Sequence, residues 1–389
     1  MAPRRPDGSC VGREASAYGK CTLAVRPTAR PVVFGRGLGY AAPEFVRSKP
    51  SGASLPVNLS ATSLLDRRLL MFTGKGGVGK TTLVAALACE AARRGRRPLI
   101  VELGHRASME AVFEVDRIGY EPRDVGRGVH AMNLDFESAL AEYFEEHIPV
   151  KRVARTVIRN KTLQKFFHAA PSVSEVATLN KLSALEAERS PTGGVRWDPI
   201  FVDLDATGHA IMLLNLPSVM EGLIGDGPMR RLVDGFSSLL TDPRRTILNL
   251  VTLPLELPAQ ETVELYQRLR KHHDVELGVL FVNQVPSRPL GPAQAGMLDR
   301  LEYRAQKVGI STLVDDVAIA RRAMRYHVNA RSQINRMQRD IDMPMVELHN
   351  VASRVLDLDT VAHIGEATFD LLDSGQQRES TNVGVAPRR

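Results

Sequence analysis

The chain has 389 residues, 43% of them hydrophobic, and a formal charge of +7, enough length for one large domain or two ordinary ones with a sizeable core. Residues 1–60 hold nine basic and three acidic groups, which is +6 of that charge, so the rest is near neutral and no basic groove for DNA or RNA is implied. No window of about 18 residues lacks both charge and proline, so no integral membrane span is expected, and three cysteines without a CxxC pair or ligand spacing leave no zinc or iron–sulfur site to read and fit a reducing, cytoplasmic setting.

Residues 1–62 are rich in Pro, Gly, Ser, Ala and Arg and show no periodicity. They read as a disordered, dispensable basic leader, either transit-like or translated from upstream of the true start. From Leu64 the pattern turns α/β. An apolar strand, Leu69–Phe72, runs into Gly74-Lys75-Gly76-Gly77-Val78-Gly79-Lys80-Thr81-Thr82, and a helix-forming run continues to Arg94, with Gly95 as its C-cap.

Gly74, Gly79, Lys80 and Thr81 satisfy the P-loop pattern in its required strand-to-helix setting. The glycines, with Gly76 and Gly77, let the backbone N–H groups around Val78 curl about a phosphate, and the helix N-terminus at Thr81-Thr82 adds positive potential. Lys80 is placed to reach the β- and γ-phosphates of ATP, and the Thr81 hydroxyl to ligate magnesium. Lys75 is an extra lysine that an ordinary P-loop does not ask for; by itself it also fits a solvated loop charge.

A second strand is expected over Pro98–Glu102, and the next clear one, Pro199–Asp203, comes almost a hundred residues later. Residues 104–196 therefore read as a mainly helical insertion. Phe136, Leu140, Tyr143, Phe144 and Ile148 recur at three- and four-residue spacing up to Pro149; Val153, Val157, Ile158, Leu163, Phe166 and Phe167 continue the stripe to Pro171. Helices are then expected at Ala210–Leu216 and Met229–Leu240, and strands at Thr246–Leu253, Val275–Val282 and Met345–Leu348. Thr252–Pro258, leading to Glu261-Thr262, reads as an ordered loop. The fold class is α/β: a P-loop NTPase with a mostly parallel central sheet flanked by helices and a helical insertion. The ATPase domain spans 63–353, and a C-terminal helix with a polar tail occupies 354–389.

Asp203 ends the strand Ile200-Phe201-Val202, where a second aspartate can hold a magnesium-bound water beside Thr81. It opens Asp203-Leu204-Asp205-Ala206-Thr207-Gly208-His209, and here the chain resembles the arsenical-pump and tail-anchored-protein-targeting ATPases, bacterial type, of the deviant P-loop class. Asp203, Thr207, Gly208 and His209 match the family's switch II by position, while Asp205 and Ala206 replace its Ala-Pro. The resemblance implies a cytoplasmic, magnesium-dependent ATPase acting as a nucleotide-switched dimer, with Lys75 reaching the partner's nucleotide. It also implies a homodimer or a heterodimer with a paralogous subunit, and a hydrophobic client segment or membrane pump as partner.

Switch I departs from the family pattern. Glu102 stands where the family carries a water-orienting aspartate, and His105 aligns with its histidine. The longer side chain displaces the carboxylate, so slow hydrolysis is expected. Asn283, ending the strand Val279-Leu280-Phe281-Val282, matches the family's adenine-reading asparagine. Two alternatives stand beside this reading: a positioning-type deviant P-loop ATPase that binds DNA or membrane, and a weakly hydrolysing subunit of a heterodimer.

Overall fold

The apolar run ahead of the glycine loop becomes β1 (Leu69–Thr73), every residue of it buried. The computed structural model describes residues 60–104, 108–147, 171–204, 207–221, 227–272, 274–351 and 357–380. Beyond β1, the strands are β2 (Leu99–Leu103), β3 (Arg123–Gly126), β4 (Val129–Leu134), β5 (Ile200–Asp203), β6 (Thr246–Thr252), β7 (Leu277–Val285) and β8 (Met345–His349). They form one sheet in the order β3-β4-β2-β5-β1-β6-β7-β8. Only the β3–β4 pairing is antiparallel. A parallel sheet must be covered on both faces, and the strand side chains divide accordingly. Leu69, Met71, Val101 and Val202 face one core, and Leu70, Phe72, Ile100 and Phe201 face the other.

The helices are α1 (Ala61–Leu65), α2 (Lys80–Arg93), α3 (Ser108–Phe113), α4 (Phe136–His147), α5 (Pro171–Ala187), α6 (Thr207–Glu221), α7 (Pro228–Thr241), α8 (Glu256–His272), α9 (Pro292–Ala295), α10 (Leu298–Val308), α11 (Ser311–Asp340) and α12 (Leu358–Ser380). The first core takes Leu182 of α5, Leu213 of α6, Phe236 of α7, Leu269 of α8 and Ile334 of α11. The second takes Leu83 and Leu87 of α2 with Val361 and Phe369 of α12. α12 lies so close on α2 that a Cβ at Gly365 would sit 2.1 Å from the Ala86 carbonyl oxygen. Among the described residues no helix is long and apolar enough to cross a membrane.

Several expectations from sequence change here. Residues 104–196 are not simply a helical insertion, because β3 and β4 lie within them and β4 extends the sheet by pairing with β2. His130 and Asn133 break the apolar run Val129–Leu134, and it is the open edge of β2 that makes a strand of it. The segment Thr252–Pro258 is not a loop throughout, since α8 starts at Glu256 and holds Pro258 in its first turn, where no intrahelical N–H is required. α1 buries Ala61, Leu64 and Leu65, so residues 60–62, expected to belong to the leader, are part of the folded body. The stripe from Val153 to Phe167 lies outside the described residues.

Candidate nucleotide site

All the strand ends that matter converge beside β1. Register sets Phe72 against Asp203 of β5 and Asn249 of β6, and Glu102 of β2 directly against Asp203. The chain then leaves the sheet at Gly74. A Cβ there would stand 2.0 Å from the backbone oxygen of Val251, and φ is +154°, so only glycine lets the loop start this close to β6. The turn ends at Gly79, whose left-handed φ of 90° caps α2, and a Cβ there would meet the Asn283 carboxamide at 2.4 Å.

Lys80 opens α2 and is buried; its ammonium donates to the carbonyls of Gly74 (3.1 Å) and Lys75 (3.2 Å). The loop's own backbone thereby holds the ammonium at its start. The Thr81 hydroxyl donates to Asp203 Oδ2 at 2.6 Å. These side chains, with Glu102, Ser108 and Thr82, line a cleft of about 320 Å³. A hydroxyl and a carboxylate side by side make an all-oxygen donor set that suits a hard cation such as magnesium.

Glu102 is 3% exposed, and it caps α3. Its Oε1 accepts the Ser108 N–H at 2.9 Å; its Oε2 accepts the Met109 N–H and the Asn133 amide, both at 3.4 Å. Burial pushes its carboxyl above the ordinary range, the two backbone bonds pull it back, and the Asp203 charge adds to the rise. Of the predicted site residues, Gly76, Gly77, Gly79, Lys80, Thr81, Thr82, Glu102 and Asp203 meet at this cleft.

Lys75 points elsewhere. Its ammonium is 2.5 Å from Glu261 Oε1 on α8, and both side chains are more than a third exposed. Asn283 lies against the loop, its Nδ2 donating to the Val78 carbonyl at 2.9 Å and its Oδ1 accepting the Gln284 N–H. In this structure the carboxamide braces the P-loop. Thr207, Gly208 and His209 open α6 four residues beyond Asp203; Asp205 and His105 fall outside the described residues.

Three contributors escaped sequence reasoning. Glu261 was read only as following an ordered loop, with no role of its own, and Asn133 lay in the presumed helical insertion. Asn249, inside an apolar strand, bridges β1 and β7 by donating to the Met71 carbonyl and accepting the Val279 N–H. A polar amide in a buried run was the available signal for the last of these.

Residues 67–231 match the anion-transporting ATPase family. The chain is 28% identical over 317 residues to ATPase BagA of Mycobacterium tuberculosis, covering 77% of this chain and 92% of that one. The Arsenical pump-driving ATPase of Acidiphilium multivorum is 30% identical over 222 residues, 51% of this chain and 36% of its own length. The protein of the same name from Escherichia coli is 29% identical over a stretch of the same length.

Proposed function

We propose that this ATP hydrolase, whose residues 67–231 match the anion-transporting ATPase family, is magnesium-dependent and works as a nucleotide-switched dimer of the deviant P-loop kind. The observation that carries the nucleotide half is the Thr81–Asp203 hydrogen bond of 2.6 Å at the mouth of the glycine loop. Thr81 would ligate magnesium directly and Asp203 through a water; bound there, the ion neutralises phosphate charge. Lys80, once its two carbonyl partners are exchanged for phosphate oxygens, holds the β- and γ-phosphates. Asn283 retains one amide hydrogen for an adenine edge while bracing Val78.

The dimer half rests on Lys75. Its pair with Glu261 is more than a third exposed on both sides, and such pairs contribute only about 0–1 kcal/mol. A phosphate presented by a second subunit can therefore draw Lys75 away at little cost. Glu102 then orients the attacking water. Three of its lone-pair directions are committed to Ser108, Met109 and Asn133, leaving one on Oε1. This commitment favours slow turnover, and it is also what supports the second reading, a weakly hydrolysing subunit beside an active paralogue. The client would be a hydrophobic segment or a membrane partner, a reading supported by Met212 and Val219, exposed on the α6 helix that follows the Asp203 strand.

Steady-state ATP turnover and sedimentation, measured together with ADP and with a non-hydrolysable ATP analogue, test this reading. Magnesium-dependent turnover lost in Lys80→Ala, with a dimer formed on the ATP analogue, is the expected result. Unchanged ATP affinity in Lys80→Ala would refute the site, and a Glu102→Asp variant much faster than the parent would identify Glu102 as what limits hydrolysis.

A further inference from the structure

Eight of the fifteen large hydrophobic side chains exposed among the described residues lie between Met297 and Val328, on the α10–α11 hairpin. Such concentration on one element marks an interaction surface rather than ordinary scatter. The pattern along α11 says how it arises. Ile319, Ala323, Tyr326, Ala330, Ile334 and Met337 recur at four- and three-residue spacing, so they share one face of the helix. The distal half of that stripe is core: Ala330, Ile334 and Met337 are at most 1% exposed. The proximal half runs on into solvent, with Tyr326 at 45% and Ile319 at 64% exposed.

α10 does not cover that proximal half. It holds the opposite side of α11, where Arg321 pairs with Asp299 and Glu302 of α10 and Val317 is buried. Turned outward on the stripe are Asp316, three residues before Ile319, and Arg322, three residues after it. Among the described residues neither is in an intramolecular ion pair.

We infer that this stripe is a self-docking surface whose occupant is a second copy of the chain, its α11 laid antiparallel across a two-fold axis at Ile319. In that arrangement residue k faces residue 638 − k of the other copy. Ile319 then meets Ile319, Tyr326 meets Thr312, Ala323 meets Asp315, and Asp316 meets Arg322 twice, once on each side of the axis. The acid-to-base order about Ile319 is what an isologous contact needs, because one patch must be its own complement. The surface is small, so association belongs in the micromolar range. It needs no nucleotide and is separate from the Lys75 contact.

The test is sedimentation velocity on the full chain without nucleotide, in a Lys80→Ala background that removes any nucleotide-driven dimer. A concentration-dependent dimer is expected. Asp316→Arg and Arg322→Asp should each weaken it about tenfold, since each places two like-charged pairs across the axis. The doubly reversed variant, Asp316→Arg with Arg322→Asp, should restore it. Both positions, 316 and 322, are exposed, so circular dichroism should stay at the parent signal. A monomer at about 100 μM, a dimer indifferent to the single reversals, or a double reversal that fails to restore association would each overturn the inference.

Discussion

Replacing Gly74 by alanine isolates what the start of the P-loop demands. The new Cβ would lie 2.0 Å from the Val251 oxygen and 3.1 Å from its carbonyl carbon, whereas ordinary contact begins near 3.4 Å. Backbone oxygen cannot rotate aside as a side chain can, so either β6 or the loop must shift by about an ångström. The φ of +154° adds strain for any residue with a Cβ. Overpacking of this kind costs about 1–3 kcal/mol and the backbone strain about another 1–2. Together these correspond to a fall of about 3–7 °C in Tm. If the loop moves instead, its amides leave the phosphate positions and ATP affinity falls at least about tenfold. Gly119→Ala is the control, because a Cβ there meets nothing within 4 Å, no positive φ is involved and the residue does not line the cleft. Thermal melts and equilibrium binding of a fluorescent ATP analogue read both variants. Gly74→Ala with the parent's Tm and the parent's affinity would show that the start of the loop tolerates a Cβ.

Glu261→Gln removes the carboxylate that holds Lys75 at 2.5 Å; thermal stability should change by less than about 1 kcal/mol, while the ATP-analogue dimer should tighten, as measured by sedimentation. A weaker dimer would show instead that Glu261 orients Lys75 for its task. Glu90, buried on α2, accepts from Arg93 and Arg94; burial raises its carboxyl, but those bonds prevail and hold it below the ordinary value of 4.5. Its stabilising contribution is therefore present above pH 4.5 and lost as pH falls through the lowered folded value. Glu90→Gln should cost about 2 kcal/mol at neutral pH, with the difference from the parent shrinking below pH 4.5 in urea melts.

The sheet was legible from sequence wherever strands were continuous apolar runs, as at Leu69–Thr73 and Ile200–Asp203, because burial on both faces leaves that signature. β4 was not, since His130 and Asn133 make its pattern depend on pairing with the β2 edge. The nucleotide cleft was legible because glycine, lysine and threonine act there through backbone shape fixed by local spacing. Glu261, 186 residues from Lys75, and Asn133, opposite Glu102 in register, are brought in by topology. No local spacing announces them. Glu102 lines the cleft, but its hold on the Ser108 and Met109 amides emerges only once α3 is folded against it.

On the proposed function each nucleotide is served by Lys75 of the other subunit, and ATP turnover of mixed variants shows whether it is. Lys75→Ala and Glu102→Gln proteins should each be nearly inactive alone. In an equimolar mixture half the dimers are mixed, and each of these has one site with both groups intact, so about a quarter of the parent turnover should return. A mixture no more active than its two components would contradict the account.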